Sequence, residues 1–185
     1  MINDLLRETE GRMNKAVEAL EEEFRGLRTG RATPALIERV MVDYYGTPTP
    51  LKQLAVISAP EPQLLLVRPY DPGSLSAIEK AILQADLGFN PNNDGRVVRV
   101  PIPRLTEERR REMVKQVKRR VEEARVALRN VRRDALNDLR DFEEEKLISE
   151  DELKRAQEDL QKLTDQMIKQ VDELGERKEQ ELMEV

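Results

Sequence analysis

The most constraining feature of this 185-residue chain is that all ten of its prolines lie between residues 31 and 103. Proline has no backbone N–H and breaks the interior of an α-helix, so long helices are disfavoured in this stretch and allowed on either side of it. The flanking segments are therefore candidates for long helices. The middle segment is a candidate for strands, turns and short helices.

Apolar residues in the two flanking segments recur at three-, four- and seven-residue spacings, the period of an amphipathic helix. We predict one helix over residues 2–28, a second over 105–147 that starts at the N-cap Thr106, and a third that starts at a capping box, Ser149 to Glu152. Three helices with one apolar stripe each predict a three-helix bundle. The predicted core positions are Leu6, Met13, Val17, Leu20, Phe24, Leu27, Val114, Val117, Val121, Ala124, Leu128, Val131, Ala135, Leu139, Phe142, Leu153, Ala156, Leu160, Leu163, Met167, Val171 and Leu174.

The middle segment, residues 31–103, replaces the helical period with β-branched runs. The predicted elements are strands over 37–45, 54–58, 64–70 and 96–100, turns over 47–50 and 90–95, and one helix over 74–86. These elements predict a small α+β domain in which one helix covers a short sheet.

The order of these elements makes the small domain an insertion into the bundle. The predicted fold class is therefore α+β with two domains, a bundle of residues 1–29 and 105–185 and an inserted domain of residues 31–103. Two chain segments join the domains, near 29–31 and 101–105, and we interpret them as hinges. The predicted hinge residues are Thr29, Gly30, Pro101, Ile102, Pro103 and Leu105.

The chain contains no histidine, cysteine or tryptophan. The missing types include the commonest general base, every thiol nucleophile and the usual zinc ligands. We therefore predict a protein that is not an enzyme and needs no metal or cofactor, although an enzyme that uses lysine or carboxylates alone stays conceivable. No apolar run reaches the roughly 20 residues of a membrane span, and the lack of cysteine fits a cytoplasmic protein.

Charge is distributed unevenly along the chain. Residues 104–133 carry 12 basic and 5 acidic side chains, a net charge of +7, whereas residues 134–185 carry 8 basic and 18 acidic side chains, a net charge of −10. The net charge of the whole chain, −5, hides this contrast. Such a block of positive charge favours a polyanionic partner at one face of the molecule.

The basic block places an arginine-rich stripe beside the predicted core of the second bundle helix, at roughly +40° to +100° from Leu128 on a helical wheel. Its members are Arg111, Lys118, Arg125, Arg129 and Arg132. Arginine forks onto phosphate oxygens and stacks on bases, so the stripe predicts an RNA contact. The alternative is a solvated face that forms ion pairs with acidic residues of the third helix, such as Glu158 and Asp159. Exposed ion pairs contribute only ~0–1 kcal/mol each, yet the residues alone leave both interpretations open.

Two adjacent tyrosines, Tyr44 and Tyr45, adjoin the end of a predicted strand. Stacking on a base is the functional interpretation, and packing at a hairpin is the favoured one. Residues 28–31 contain a glycine but lack the GxxxxGK[ST] pattern of a phosphate-binding loop, which favours a hinge over a nucleotide site.

Several segments together resemble the bacterial ribosome recycling factor family, and the resemblance covers essentially the whole chain, including its length and the domain insertion. The matching segments are Gly26-Leu27-Arg28-Thr29-Gly30-Arg31-Ala32, Tyr44-Tyr45-Gly46, Leu105-Thr106-Glu107-Glu108-Arg109-Arg110, Arg129-Asn130-Val131-Arg132-Arg133, Ile148-Ser149-Glu150-Asp151 and the tail from Lys178-Glu179 to Met183. Each segment alone is a weak signal, but the set is specific.

The resemblance implies an L-like shape with the bundle as its long arm. It also implies binding to the post-termination ribosome and, together with elongation factor G and GTP, subunit splitting and release from mRNA. The partner hydrolyses the nucleotide in such a system, which agrees with a chain that is not an enzyme. The small domain would face the small subunit and receive the push from elongation factor G. We expect a monomer in the cytoplasm.

The resemblance also implies which residues contact large-subunit ribosomal RNA. The residues carried over are Arg110, Arg129, Arg132 and Arg133 in the bundle, Arg28 and Arg31 at the domain junction, and Val117 and Glu122 on the same contacted helix. The other basic residues of the stripe then supply a supporting field. The alternative function is a structural coiled-coil adaptor, which would bind a partner helix through an exposed apolar seam without RNA.

Overall fold

The computed structural model describes residues 1–184 and divides into two compact units. The helical unit contains residues 1–24 and the chain from Arg110 onward. The small unit contains residues 25–109 and combines strands with short helices.

Five α-helices and six strands occur in the described residues. The helices are α1 (Ile2–Arg25), α2 (Leu51–Leu54), α3 (Leu75–Gln84), α4 (Glu107–Glu144) and α5 (Glu150–Met183). The strands are β1 (Met41–Tyr44), β2 (Thr47–Pro50), β3 (Ala55–Glu61), β4 (Leu64–Pro69), β5 (Asn92–Asn93) and β6 (Val98–Pro101). Single 3₁₀ turns occur at Pro34–Leu36 and Pro72–Ser74. None of the described helices combines the length and apolarity that a membrane crossing requires.

Most of the predicted apolar stripe is buried in the helical unit. Seven predicted core positions are only half-buried: Leu6, Leu27, Val114, Phe142, Leu153, Leu163 and Leu174. Leu128 and Val171 are 0% exposed and Val17 is 4% exposed. At the start of α4 the buried side chain is Met113, whereas the predicted position Val114 is half-buried. The second turn of α4 therefore buries Met113 in place of Val114.

Two buried threonines were not predicted as core residues. The Thr9 hydroxyl donates to the Leu5 carbonyl oxygen at 2.7 Å, and the Thr164 hydroxyl donates to the Leu160 carbonyl oxygen at 2.8 Å. These local bonds satisfy the hydroxyl groups, so a threonine can occupy an apolar stripe without an unpaired polar atom.

Both predicted helix caps are confirmed. The backbone N–H of Arg109 donates to Thr106 Oγ1 at 3.1 Å at the start of α4. The N–H of Glu152 donates to Ser149 Oγ at 3.1 Å at the start of α5. Between these two helices Lys146 adopts a left-handed φ of 61°, and the Leu147 N–H donates to the Phe142 carbonyl at 2.8 Å, which ends α4.

The small unit contains two antiparallel sheets. The larger sheet has the strand order β3-β4-β6-β5, and β1 and β2 form a separate hairpin. α3 packs against β1, β5 and β6, with Ile78 and Ile82 fully buried. The core therefore lies between α3 and the strands, as the α+β pattern predicts.

Four details of the small unit differ from prediction. Residues 47–50, predicted as a turn, form β2, because the two prolines fit an outer strand that needs no N–H on its free side. The strand predicted over 37–45 begins only at Met41, since residues 34–36 form a 3₁₀ turn. Part of the turn predicted over 90–95 forms the two-residue strand β5, and a further short helix, α2, was not predicted.

Candidate nucleic-acid interface

The helix α4 carries most of the predicted RNA-binding residues. Its 38 residues extend about 57 Å at 1.5 Å per residue. A continuous buried stripe fixes the rotation of the helix about its own axis, so that the arginines beside the stripe lie at the edge where α4 meets α5. This edge separates into two segments with different surroundings.

The paired segment consists of Glu122, Arg125, Arg129 and Asp172. Arg125 Nη2 lies 2.6 Å from Asp172 Oδ1, and Arg125 Nη1 lies 3.0 Å from Glu122 Oε2. Arg129 Nη1 donates to Glu122 Oε1 at 3.3 Å. The hydrogen bond from Arg125 is the main cause that holds the pKa of Glu122 below its ordinary value. Two carboxylates therefore oppose two guanidinium charges here.

The open segment consists of Arg132 and Arg133. Arg132 Nη1 donates to Gln161 Oε1 at 3.0 Å, and Arg133 Nη2 donates to Asn130 Oδ1 at 2.7 Å. Both acceptors are uncharged amides, which orient a guanidinium without opposing its charge. The open segment therefore keeps two positive charges available to an anion.

The ion pairs of the stripe use other acids than those predicted. Glu158 and Asp159 were the expected partners, but the stripe pairs with Asp172 on α5 and with Glu122 on α4 itself. Glu158 and Asp159 are exposed on α5. The interpretation of the stripe as a paired face therefore holds for the paired segment and not for the open segment.

Val117 and Arg110 occupy very different positions on α4. Val117 is 0% exposed, which leaves its side chain no surface to offer RNA and argues against a direct contact. Arg110 is half-buried, and its Nε has no hydrogen-bond partner within the described residues. A buried donor without a hydrogen-bond partner lowers the stability of the fold. The Nε–H of Arg110 is therefore able to donate to a further acceptor.

The residues at the start of the small unit are held in different ways. Arg28 Nη1 donates to the Leu87 carbonyl at 2.9 Å, and its guanidinium carbon lies 4.8 Å from the centre of the Phe89 ring. This side chain is therefore engaged within the small unit. Thr29 is buried, whereas Arg31 is exposed.

Gly30 adopts a left-handed φ of 81°. A Cβ built on it would lie 3.4 Å from both the Cγ and the backbone nitrogen of Leu105. Both the backbone conformation and the close approach favour glycine at this position.

Two of the predicted hinge residues belong to the sheet. Pro101 is the last residue of β6 and pairs with Leu64. Ile102 is 4% exposed, and its N–H donates to the Gln63 carbonyl at 2.8 Å. The Ala32 N–H similarly donates to the neighbouring Pro62 carbonyl at 2.7 Å. Both segments, which the sequence predicts as hinges, are thus hydrogen-bonded to the β3–β4 turn within the small unit.

The tyrosine pair forms part of a local hydrogen-bond cluster in the small unit. The hydroxyls of Tyr44 and Tyr45 donate to Asp71 Oδ2 at 3.2 and 3.1 Å, and the rings meet edge to face with centroids 4.7 Å apart. The hydrogen bond to Asp71 raises the pKa of each tyrosine. The predicted packing at a hairpin agrees with these contacts, although Tyr45 as a residue is 80% exposed.

No side-chain arrangement for metal binding is present in residues 1–184: no group of three histidine, cysteine, aspartate or glutamate side chains is placed to hold an ion.

The sequence pattern did not identify two residues at the surface where α4 meets α5. Asp172 gave no signal, because its partner is 47 positions away. Arg140 lies seven positions beyond Arg133, close to two helical turns, and this spacing on one helix face could have identified it.

A family sequence profile described as ribosome recycling factor matches residues 20–183 of the chain. The chain belongs to the ribosome recycling factor family. Members of that family from Heliobacterium modesticaldum and Carboxydothermus hydrogenoformans, each described as ribosome-recycling factor, are 59% and 57% identical to it over 185 residues, and both alignments cover 100% of both chains. The family membership predicted from the sequence segments is thereby confirmed.

Two solved structures of ribosome recycling factors resemble this one. A solution structure of the ribosome recycling factor is 49% identical with a TM-score of 0.81, and the match covers 100% of this chain and 98% of that chain. The other is described as models for the T. thermophilus ribosome recycling factor and the E. coli elongation factor G bound to the E. coli post-termination complex. It is 48% identical with a TM-score of 0.70 and 100% coverage of both chains. These likenesses confirm the α+β fold class with long helices and a small sheet domain.

Proposed function

We propose that this chain recycles ribosomes after translation termination. It binds the post-termination ribosome and, together with elongation factor G and GTP, promotes separation of the subunits and release from mRNA. Family membership supports this function, and one structural relative is described together with elongation factor G on a post-termination complex. Recycling needs no chemistry from this chain, which acts as a non-enzymatic, monomeric translation factor in the cytoplasm.

The open segment is the observation that carries the RNA-binding part of this proposal. Arg132 and Arg133 are oriented by neutral amides, so their charges are not cancelled before RNA arrives. Planar guanidinium groups fork onto phosphate oxygens, and such charge-assisted bonds are among the stronger ones in proteins. Arg132 and Arg133 therefore supply affinity for large-subunit ribosomal RNA.

Arg129 makes a weaker contribution in this proposal. Its Nη1 lies 3.3 Å from Glu122 Oε1, so the guanidinium of Arg129 must be shared between Glu122 and a phosphate. The pair is half-exposed and therefore costs little to open. The carboxylate of Glu122 competes with RNA phosphates for Arg129 and does not itself contact RNA in this proposal.

Arg110 and Arg31 are further contacts in this proposal. The unpaired Nε–H of Arg110 would donate a hydrogen bond to a phosphate oxygen. Arg31 is exposed beside Gly30. Arg28 is better suited to fastening the chain to the 87–89 loop than to binding RNA, since its guanidinium already contacts Leu87 and Phe89.

The hinge in this proposal is narrower than residues 29–31 and 101–105. The hydrogen bonds of Ala32 and Ile102 to the β3–β4 turn leave bending to Gly30, Arg31 and the segment from Pro103 to Leu105. Gly30 supports such a role because its backbone already occupies a conformation that other residues rarely adopt.

The coiled-coil adaptor is not favoured by the surface of the helical unit. Such an adaptor needs a continuous exposed apolar seam. The large apolar side chains exposed on the described part of this unit are Met1, Val126, Leu147 and Met183, and they do not recur at helical spacing.

Subunit splitting followed by light scattering tests the proposed function. The full chain is mixed with post-termination ribosomes, elongation factor G and GTP, and we expect a fall in scattering that requires all three additions. Splitting that proceeds equally well without this chain would refute the function. Binding to large subunits that does not change across a potassium chloride series would favour the adaptor, because RNA contacts are salt-dependent.

A hinge variant tests the second part of the proposal. Gly30→Ala places a Cβ against Leu105 at a left-handed φ, and we expect it to slow splitting more than it weakens binding. Gly95→Ala is the matched control, because Gly95 has a φ of 89° with nothing within 4 Å of its Cβ position. Equal slowing by both variants would show general strain and would argue against a hinge at Gly30.

A further inference from the structure

Two grooves between α4 and α5 differ in the charge of their walls. The mixed groove, of about 400 Å³, is lined by Lys118, Val121, Glu122, Arg125, Asp172, Gly175, Glu176 and Glu179. The arginine groove, of about 350 Å³, is lined by Arg132, Leu136, Arg140, Gln157, Leu160 and Gln161. The mixed groove thus has four carboxylates in its lining, and the arginine groove has none. The same two helices offer an anion very different surroundings at these two places.

Arg140 is the member of the arginine groove with no assigned role. It is exposed on α4 and, within the described residues, makes no hydrogen bond or ion pair. Because Arg140 has no partner there, it does not have to break an existing ion pair or hydrogen bond when it binds a ligand. Its charge is therefore fully available at the groove.

The opposite wall of the arginine groove supplies neutral polar groups. Gln161 accepts from Arg132 and donates through Nε2 to Asp165 Oδ1 at 2.8 Å, so its orientation is fixed from both sides. Gln157 lies one turn earlier on α5 and adds an amide that can donate to a phosphate or ribose oxygen. The wall therefore orients one arginine and offers a further donor.

The spacing of the two arginines fits an extended ligand rather than a single small anion. Arg132 and Arg140 are eight residues apart on one helix, about 12 Å along its axis. Two guanidinium groups at this separation, with the Gln157 amide in the same groove, match a chain of phosphates and 2′-hydroxyls.

We propose that the arginine groove between α4 and α5 is a binding site for the ribose-phosphate backbone of ribosomal RNA, with Arg140 as a direct phosphate ligand beside Arg132. This inference rests on the proposed function and extends the RNA contact two helical turns beyond the open segment. We expect recognition of the backbone rather than of sequence, because guanidinium groups fork onto phosphate oxygens, which every nucleotide carries.

Binding to purified large ribosomal subunits across a potassium chloride series tests this site. We expect Arg140→Ala to weaken binding about tenfold and to reduce the slope of log affinity against log salt by about 0.7 to 1, the effect of one lost phosphate contact. Arg140→Lys keeps the charge but loses the forked guanidinium, so its affinity should lie between those of the parent and Arg140→Ala. Circular dichroism of each variant confirms that the helices are intact.

Arg177→Ala is the matched control. Arg177 is an exposed arginine of α5 outside the arginine groove, also without a partner in the described residues, so its loss changes net charge equally. We expect its affinity to stay within about twofold of the parent. Equal weakening by Arg140→Ala and Arg177→Ala would overturn the site, because it would reflect net charge alone.

The controls also separate failure of this site from failure of the proposed function. If Arg132→Ala weakens binding and Arg140→Ala does not, the arginine groove is not a site but the RNA-binding function stands. If neither change weakens binding, the arginine groove and the RNA-binding function are both wrong.

Site-directed cleavage of RNA is a second test. Since the chain has no cysteine, R140C and R177C can each carry a tethered iron chelate. Cleavage of ribosomal RNA from position 140 and not from 177 is expected, and cleavage from 177 alone would overturn the proposal.

Discussion

The paired segment and the open segment of α4 place the same side chain, arginine, on one helix but in different electrostatic surroundings. Arg125 and Arg129 face Asp172 and Glu122, whereas Arg132 and Arg133 face neutral amides. An arginine that already has a carboxylate must exchange one anion for another when RNA binds. An arginine held by an amide gains an anion outright. A stripe of equal residues therefore need not be a stripe of equal affinities.

The largest expected difference between the segments is in RNA affinity. We expect Arg132→Ala with Arg133→Ala to weaken binding to large subunits about 100-fold, since two charge-assisted contacts are lost. Arg125→Ala with Arg129→Ala should weaken binding less than about tenfold, because these guanidinium groups are shared with carboxylates. Filter binding at one fixed salt concentration measures both. The reverse order would show that pairing does not decide the affinity.

The next effect concerns the packing that brings α5 close to the paired segment. A Cβ at Gly175 would lie 2.6 Å from Val121 Cγ2, and a β-branched side chain in a helix has little rotamer freedom to yield. We expect Gly175→Ala to lower the free energy of unfolding by about 1–3 kcal/mol, the usual cost of overpacking.

Gly11→Ala is the control for Gly175→Ala in urea unfolding. Gly11 lies within α1 with nothing within 4 Å of its Cβ position, so alanine there should stabilise the fold by about 0.5–1 kcal/mol through helix propensity. Stabilisation by both changes would mean that the helices separate without cost at Gly175. The paired segment would then not depend on their close approach.

A smaller effect is expected from removing the counter-charge. Glu122→Gln leaves Arg129 opposite a neutral amide and makes the paired segment resemble the open one. We expect RNA binding to tighten about two- to fivefold at low salt, the scale of one exposed ion pair, and the gain to fade as salt rises. Unchanged or weaker binding in the same filter assay would argue that Glu122 contacts RNA directly.

The smallest effect is a change in acid stability. The Arg125 hydrogen bond holds the pKa of Glu122 below its ordinary value of 4.5 in the folded chain. This carboxylate therefore stabilises the fold fully above pH 4.5, and the contribution is lost as the pH falls through the lower, folded pKa. Glu122→Gln should make the urea midpoint depend less on pH in that acid range. Glu158→Gln, an exposed carboxyl outside the paired segment, should not, and equal flattening by both would implicate net charge.

The sequence pattern predicts elements well where one physical signal dominates. The period of α4 identifies its core from Val117 to Leu139, because every step of three or four places an apolar residue on one side. The caps at Thr106 and Ser149 are equally direct, since the bond they make lies within three residues. Family segments add the ribosomal interpretation that periodicity alone does not supply.

Other features depend on which groups meet in space. Pro48 and Pro50 are typical of turns, and only the pairing of β2 with β1 shows them to be strand residues. The division of the arginines into paired and open segments depends on Asp172 and Gln161, which lie on another helix. A lone glycine in α5 carries no sign in the sequence that Val121 packs against it. These contacts join residues that are distant in the chain, beyond the reach of local patterns.

The two segments that enter and leave the small unit are hydrogen-bonded to the same turn, between β3 and β4, and this brings the ends of the segment between them together. Ala32 and Ile102 bond to the adjacent carbonyls of Pro62 and Gln63, so the segment they enclose begins and ends at almost the same place. A polypeptide whose ends are neighbours can be cut out, expressed alone or joined end to end with little loss of chain entropy. We therefore expect residues 32–102 to be exchangeable as one piece, with a short loop in their place keeping α1 and α4 connected.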